Sequence, residues 1–520
     1  MEKSLRHRRR ILWVDDEVDF LRPHIHLLEE RGYQVTAVTN GEDAISLILS
    51  EPYDLILLDQ MMPGIDGLSV LSEIRRLEPD VPIVMVTKSE EEAMISEALG
   101  RRADDFLAKP LNARQLISLV TRVLEMEDLV EERIVQEYAA VYRRLSEMRA
   151  ARPDWHQWSL IHQELSIWDL MVDRYPEAGL RQTHQDQRNA CNTEFAKYVG
   201  QNYVSWIRGG DVPLMSPELL KERVFPLLDQ SPCVVFLLLD CMRFDQWLAI
   251  EPIVKQWFRI ERDHYYSILP SATPYARNAI FSGLFPLEMA EQYPHYWRHG
   301  DEGGQNRYEA EFLREYIRRL RPLGEIKSQY VKIIKGENAL ALSQRASEIV
   351  TSRFFAIVVN FVDILTHYRS ESDVVKEITP DEGGFRALTR TWFINSPVCS
   401  LLRELAGREC MVVVTSDHGS ICGRRATIIY GGREISPNLR YKYGPGIRCN
   451  GKHALFLTRP DEYMLPQEKP GTRYCIAKED YYFIYPTHPQ EYEREYRGSF
   501  QHGGVSMEEM ILPLAIMTPK

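Results

Sequence analysis

Leu55-Ile56-Leu57-Leu58-Asp59-Gln60-Met61-Met62-Pro63-Gly64-Ile65-Asp66-Gly67 decides the fold of the front of this chain. Four consecutive apolar residues have no polar side to turn to water, which predicts a strand buried on both faces. An acid ends the run, and a loop marked by Pro63, Gly64 and Gly67 follows. A strand of this kind needs a sheet covered by helices on both sides. The flanking sequence supplies one: Ile11–Val14, Gln34–Val38, Ile83–Val86 and Phe106–Ala108 are further short apolar runs that alternate with helical patterns. Residues 9–125 are therefore expected to form a five-stranded, doubly wound parallel α/β domain. Ligands of such sheets bind beyond the carboxyl ends of the strands. Asp15 and Asp16 end the first strand, Asp59 the third, Thr87 the fourth, and Lys109-Pro110 the fifth. Converging carboxylates repel unless a hard cation such as Mg²⁺ lies among them. A hydroxyl and an ammonium aimed at the same place suit phosphoryl oxygens.

This ordered set closely resembles the receiver domains of response regulators, and the segment from Leu57 to Gly67 resembles that family's phosphorylation loop. The resemblance implies a flavodoxin-like fold in which Asp59 takes phosphate from a histidine kinase. It implies one Mg²⁺ held by Asp16 and Asp59, with Asp15 acting mainly through water. Thr87 and Lys109 would read the phosphate, and Phe106 matches the aromatic switch position. Lys88 stands where a small residue is more usual, a departure that bears on access to the site.

From residue 126 to 208 strand signals stop. Apolar residues at 130, 134, 138, 141, 145 and 148 step by four and three, the stripe of an amphipathic helix. A second series runs Trp158, Ile161, Leu165, Trp168, Val172 and Tyr175, and a third Cys191, Phe195, Tyr198, Asn202 and Trp206 before Gly209-Gly210. The pattern predicts an all-α three-helix bundle whose tryptophans are core.

Alternation returns at 213–520, with strands predicted at Val234–Leu239, Phe355–Phe361, Met411–Thr415, Ala454–Leu457, Tyr481–Tyr485 and Leu514–Met517. The polar, Arg-rich stretch from 287 to 345 reads as an insertion over the sheet. Strand ends again carry chemistry. Asp240 follows one strand, Asp363 and His367 follow another at i and i+4, Asp417-His418 a third, and His502 lies in Gln501-His502-Gly503-Gly504. Three Asp and three His offer the mixed nitrogen and oxygen donors that suit Zn²⁺.

These motifs look like the alkaline phosphatase superfamily, whose order of Asp, nucleophile, Asp-x₃-His, Asp-His and a late His is matched by Asp240, Thr273, Asp363 with His367, Asp417-His418 and His502. The resemblance implies an alkaline-phosphatase-like α/β domain with two Zn²⁺. Asp240, Asp417, His418 and the nucleophile would hold one zinc, and Asp363, His367 and His502 the other. Thr273 would be the catalytic nucleophile, its hydroxyl ionised by the metal. Ser271 is a rival with a poorer spacing to Ser282-Gly283-Leu284-Phe285-Pro286, a segment also found in the superfamily's phosphodiesterases. Arg277 and Asn278 are open between contacting phosphate and starting a helix. The run from Arg314 to Arg321 reads as a solvated helix face, with a funnel for anions as the alternative.

Together the modules resemble the family of response regulators that carry a PglZ-type effector domain. That resemblance implies a partner histidine kinase, homodimerisation on phosphorylation, an alternative sigma factor as partner, control of type IX secretion and cleavage of phosphodiesters in oligonucleotides. The alternative is a catalytically silent phosphatase-fold module that binds a sigma factor or promoter DNA. Bulk properties set limits around these readings. The 520 residues carry a net charge of −12, which gives no global attraction to nucleic acid or anionic lipid. The longest apolar run, Val234–Leu239, is too short to insert in a membrane. Eight cysteines without paired spacing point to buried thiols in a reducing, cytoplasmic setting.

Overall fold

The computed structural model describes residues 9–77, 81–88, 103–210, 212–297, 306–320, 326–333, 346–371, 373–432 and 435–520; the side chains of 125–129, 367–371 and 373–374 are not among them. The chain divides into two compact units, Met1–Tyr138 and Ala139–Lys520, and the boundary falls inside one long helix.

In the first unit five strands, β1 (Arg10–Val14), β2 (Gln34–Val38), β3 (Leu55–Asp59), β4 (Ile83–Thr87) and β5 (Asp105–Ala108), form one sheet in the order β2-β1-β3-β4-β5. Every pairing is parallel. Successive side chains serve opposite cores: Leu12, Val14, Ile56 and Leu58 pack on one face, Ile11, Trp13, Leu55 and Leu57 on the other. That two-sided burial is why β1, β3 and β4 read as unbroken apolar runs. Helices α1 (Val18–Glu29), α2 (Gly41–Ser50) and α3 (Gly67–Leu77) cover the faces. Asn40 caps α2 by accepting the N–H of Asp43 at 2.8 Å. The chain then enters α4 (Ala113–Ala150).

The second unit is built on a six-stranded sheet: β6 (Val234–Leu239), β7 (Phe258–Tyr266), β8 (Ser328–Ile333), β9 (Phe354–Val359), β10 (Met411–Thr415) and β11 (Ile511–Pro519), in the order β7-β11-β10-β6-β9-β8. The four strands β10, β6, β9 and β8 are parallel; β11 alone is reversed, pairing antiparallel with β10 on one side and with β7 on the other. Three differences from the sequence reading have local causes. The strand expected to reach Phe361 stops at Val359, because the Asn360 carbonyl accepts the N–H of Ile364 and starts a helix at Phe361. The stretch read as an insertion contributes β8, whose Ser, Gln and Lys are tolerated because it is an edge strand with one partner. Strand β7 was hidden for the same reason, its sequence FRIERDHYY alternating toward solvent on the other edge.

The linker helices α5 (Trp155–Arg174) and α6 (Arg181–Ile207) form as their stripes predict, and Trp158, Trp168 and Trp206 are buried. Their apolar faces close on the sheet unit. Trp158, Leu165, Phe195, Val199 and Tyr203 belong to one core with Tyr265, Tyr266 and Phe281. Polar contacts stitch the same seam: the Tyr266 hydroxyl donates to the Trp155 carbonyl at 2.6 Å, and the Leu269 N–H donates to the Tyr203 hydroxyl at 2.8 Å.

Candidate functional site

Two pockets lie beyond strand carboxyl ends, one in each unit. In the first, Asp15, Asp16 and Asp59 bring carboxylate oxygens within 4.8 Å of one another. Asp15 and Asp59 are buried and Asp16 is exposed, so the group is open on one side. The Lys109 ammonium lies 2.7 Å from Asp15 and 2.8 Å from Asp59. Burial pushes the Asp59 carboxyl above its usual range, with Lys109 opposing. Burial also works against the Lys109 charge, but the hydrogen bonds to Asp15 and Asp59 outweigh it and hold the ammonium above its ordinary value. Thr87 is buried at the end of β4, and Phe106 on β5 is 39% exposed. Lys88 pairs at 3.1 Å with Glu17, whose carboxylate also lies 3.8 Å from Lys109. Gly67 is required by a close approach: a Cβ there would run into the Asp59 carbonyl. Three carboxylates on one cation-sized space are a donor set that fits Mg²⁺.

The second pocket gathers Asp240 after β6, Asp417 and His418 after β10, and Thr273, the first residue of α7 (Thr273–Ser282). Ligand atoms of Asp240, Asp417 and His418 lie within 4.8 Å of one another, and all three residues are fully buried. His418 Nδ1 is 3.1 Å from the Gly419 carbonyl, so this nitrogen carries the proton and Nε2 faces the pocket as a lone pair. The Thr273 hydroxyl donates to that Nε2 at 2.8 Å. Asp240 Oδ1 and Asp417 Oδ2 accept no hydrogen bond among the described residues despite their burial. Buried carboxylate oxygens left in that state, 3.7 Å from an imidazole lone pair, fit a divalent cation.

A second pair adjoins. His502 Nε2 is 3.6 Å from Asp363 Oδ1, and the His502 ring stacks on His418 with centroids 4.3 Å apart. His367 lies on the same helix as Asp363, Phe361–Glu371, but its side chain falls outside the described residues. Ser271 is fully buried and its hydroxyl donates to the Gly504 carbonyl at 2.7 Å, which commits it away from His418. Asn278 donates to the Pro274 carbonyl inside its own helix.

Arg277 holds a position that strand-end reasoning did not assign. Its buried guanidinium reaches Asp240 at 2.8 Å, Asp417 at 3.2 Å, Glu309 at 3.2 Å and the Asn360 amide oxygen at 3.2 Å. Burial pushes the Asp240 carboxyl well above its usual range, and Arg277 is the main counterweight. Glu309 opens the helix Glu309–Arg319, is fully buried, and also meets Lys332 at 3.3 Å. In sequence it is one acid among many in a charged helix. Farther along that helix Arg314 and Arg318 are exposed and pair with Glu311 and Glu315, whereas Arg319 folds back to donate to the Ser282 carbonyl and lies over the Tyr293 and Tyr316 rings; Arg321 lies outside the described residues. No described helix is long and apolar enough to cross a membrane.

Family comparison matches residues 11–121 to the response regulator receiver domain, 128–207 to the PorX response regulator linker domain, and 219–517 to the BREX system PglZ alkaline phosphatase-like domain. Among curated proteins, the transcriptional regulatory protein BaeR of Escherichia coli is 41% identical over 117 residues, 22% of this chain and 48% of that protein. The response regulator SaeR of Staphylococcus aureus is 37% identical over 114 residues, 22% of this chain and 50% of that protein. The chain thus spans about half the length of these curated relatives. Similar solved structures include a CheY-like receiver from Methanospirillum hungatei (28% identity, 23% of this chain and 96% of that one, TM-score 0.23) and a two-component response regulator from Clostridium difficile (35% identity, 23% and 97%, TM-score 0.22).

Proposed function

Because the chain belongs to the PglZ alkaline phosphatase-like family and carries a response regulator receiver ahead of that domain, we propose that it is a two-component regulator whose effector is a zinc-dependent phosphodiesterase. Residues 9–125 serve as the switch, 126–208 as the linker and 213–520 as the effector. A histidine kinase phosphorylates Asp59 with Mg²⁺ held by Asp15, Asp16 and Asp59. Thr87 and Lys109 then bind the phosphoryl oxygens, Phe106 moves with Thr87, and two copies pair. Type IX secretion genes, reached through a sigma factor, are the expected output.

The observation that carries the catalytic reading is the Thr273 hydroxyl, held on the His418 imidazole beside two buried carboxylates. Asp240, Asp417 and His418 would hold one Zn²⁺, and Asp363, His367 and His502 the other. When bound, the two cations would lower the pKa of the Thr273 hydroxyl and draw off charge from the transferring phosphoryl group. Thr273 Oγ1 gives up its proton and forms the new bond to phosphorus while the bond to the leaving oxygen breaks and that oxygen takes up a proton; water later hydrolyses the phosphothreonine ester, freeing a phosphomonoester and restoring the Thr273 hydroxyl. Thr273 opens a ten-residue helix, so the positive end of that helix's dipole favours a phosphate there. Oligonucleotides are the expected diesters.

Arg277 favours one second reading. A guanidinium already neutralises Asp240 and Asp417, as it would in a catalytically silent module that binds a sigma factor or promoter DNA. Metal analysis of the purified protein, coupled to a panel of phosphomonoesters and diesters with and without receiver phosphorylation, separates the two. About two zincs per chain and diester turnover support the enzyme; a metal-free, inert protein sinks it.

A further inference from the structure

The short helix Met507–Met510, just before β11, touches no reacting group, yet three site loops and one linker helix converge on it. Glu509 is fully buried. Its Oε1 accepts the Gly504 N–H at 2.8 Å and Arg440 Nε at 3.0 Å. Its Oε2 accepts the Ser506 hydroxyl at 2.8 Å and Arg440 Nη2 at 2.6 Å. Its backbone carbonyl accepts the Gly419 N–H at 3.2 Å. Gly419 follows His418, and Gly504 lies two residues beyond His502. The Gly504 carbonyl in turn accepts the Ser271 hydroxyl, two residues before Thr273. One residue therefore ties together the loops that carry Thr273, Asp417-His418 and His502. The fit is tight: a Cβ on Gly419 would collide with the Glu508 carbonyl, and one on Gly504 with the Arg440 guanidinium.

On its other side the same turn is gripped by α6. Asn192 is 3% exposed. Its amide nitrogen donates to both Glu508 carboxylate oxygens, at 3.1 and 2.9 Å, and its oxygen accepts the Met507 N–H at 2.8 Å. A buried polar network often does no more than hold a fold together. This one is different in its endpoints: it starts on a linker helix and ends on the backbone amides beside the candidate metal ligands.

We infer that Asn192 and Glu509 form a clasp through which linker helix α6 sets the relative placement of the three site loops, with Glu509 as a positioning residue and Asn192 as its anchor. Its catalytic consequence rests on the zinc phosphodiesterase reading; the clasp itself does not. The direct test is amide hydrogen exchange at Gly419 and Gly504 in the metal-free full chain, comparing wild type, Asn192→Asp and Asn192→Asp/Glu508→Gln. The single substitution sets a carboxylate against that of Glu508, and the double variant restores a donor–acceptor pair with roles reversed. Exchange at both glycines should rise about tenfold or more in Asn192→Asp and return toward wild type in the double variant. With zinc loaded, kcat should fall in Asn192→Asp with KM little changed, and recover in the double variant. Unchanged exchange in Asn192→Asp overturns the clasp, as does faster exchange that the double variant fails to reverse. A wild-type protein that takes up no zinc and hydrolyses nothing removes the phosphodiesterase reading and leaves the exchange result to decide the clasp.

Discussion

The Thr273 hydroxyl sits 2.8 Å from His418 Nε2, although the two residues are 145 positions apart in the chain. The contact exists because β6 and β10 pair in parallel and deliver Asp240 and Asp417-His418 to one edge, against which α7 places its first residue. If Thr273 is the nucleophile, Thr273→Val removes the attacking oxygen and leaves the Asp and His ligands in place. Hydrolysis of a chromogenic diester should drop by at least about 10³-fold, with zinc content held close to wild type. Thr273→Ser should keep measurable turnover. Valine at this position with more than a tenth of normal kcat would remove Thr273 from the mechanism.

Arg277 is the cation that three buried carboxylates share. Arg277→Met keeps the length of the side chain and deletes the charge. Leaving buried acids uncompensated costs on the order of 3–5 kcal/mol. Urea unfolding in the presence of a chelator should show a loss of that size. Added zinc should recover much of it, since bound cations neutralise Asp240 and Asp417 directly. An equal loss with and without zinc would mean that Arg277 serves packing alone.

How much of this was legible in the sequence follows from what each residue needs. Asp15, Asp59, Asp240 and Asp417 stand at the ends of parallel strands buried on both faces, and such strands announce themselves as apolar runs closed by an acid. Thr273 had no such marker; only its place between Asp240 and Asp363 in a family order singled it out. Edge strands β7 and β8 were illegible because one open side lets polar residues in. The stripes of α5 and α6 predicted apolar faces but not the surface that covers them, which is the sheet unit. Glu309 and Glu509 look like solvated acids because their partners, Arg277 and Arg440, lie 32 and 69 residues away.

The receiver pocket makes its own forecast. Lys109 bridges Asp15 and Asp59, so Lys109→Met leaves two buried carboxylates facing each other. Without divalent metal the receiver should lose on the order of 3 kcal/mol, and Mg²⁺ should stabilise the variant more than wild type. In parallel, beryllofluoride with Mg²⁺ should shift wild type from monomer to dimer in light scattering and leave Asp59→Ala unchanged. An Asp59→Ala protein that dimerises as readily as wild type would detach dimerisation from the phosphorylation site.

Two buried histidines of the linker helices set an acid limit on the second unit. Burial pushes His162 down to about 3, and burial with the nearby Arg386 charge pushes His184 down to about 4. His184 donates through Nε2 to Asp169 at 2.8 Å as a neutral ring, since Arg188 already neutralises that carboxylate. Both folded pKa values lie below the unfolded value of about 6.5. Their stabilising preference for the neutral form is therefore intact above pH 6.5 and is lost as pH falls toward the folded values. By about pH 5.5 the unfolded chain holds almost two protons more than the folded one, and the loss accumulated from pH 7 is on the order of 2–3 kcal/mol. Urea unfolding of the second unit's transition across that range should show this slope. In His162→Gln/His184→Asn the slope should flatten over the same window whatever the variant's absolute stability, because glutamine and asparagine bind no proton there. An unaltered slope would place the acid sensitivity elsewhere in the unit.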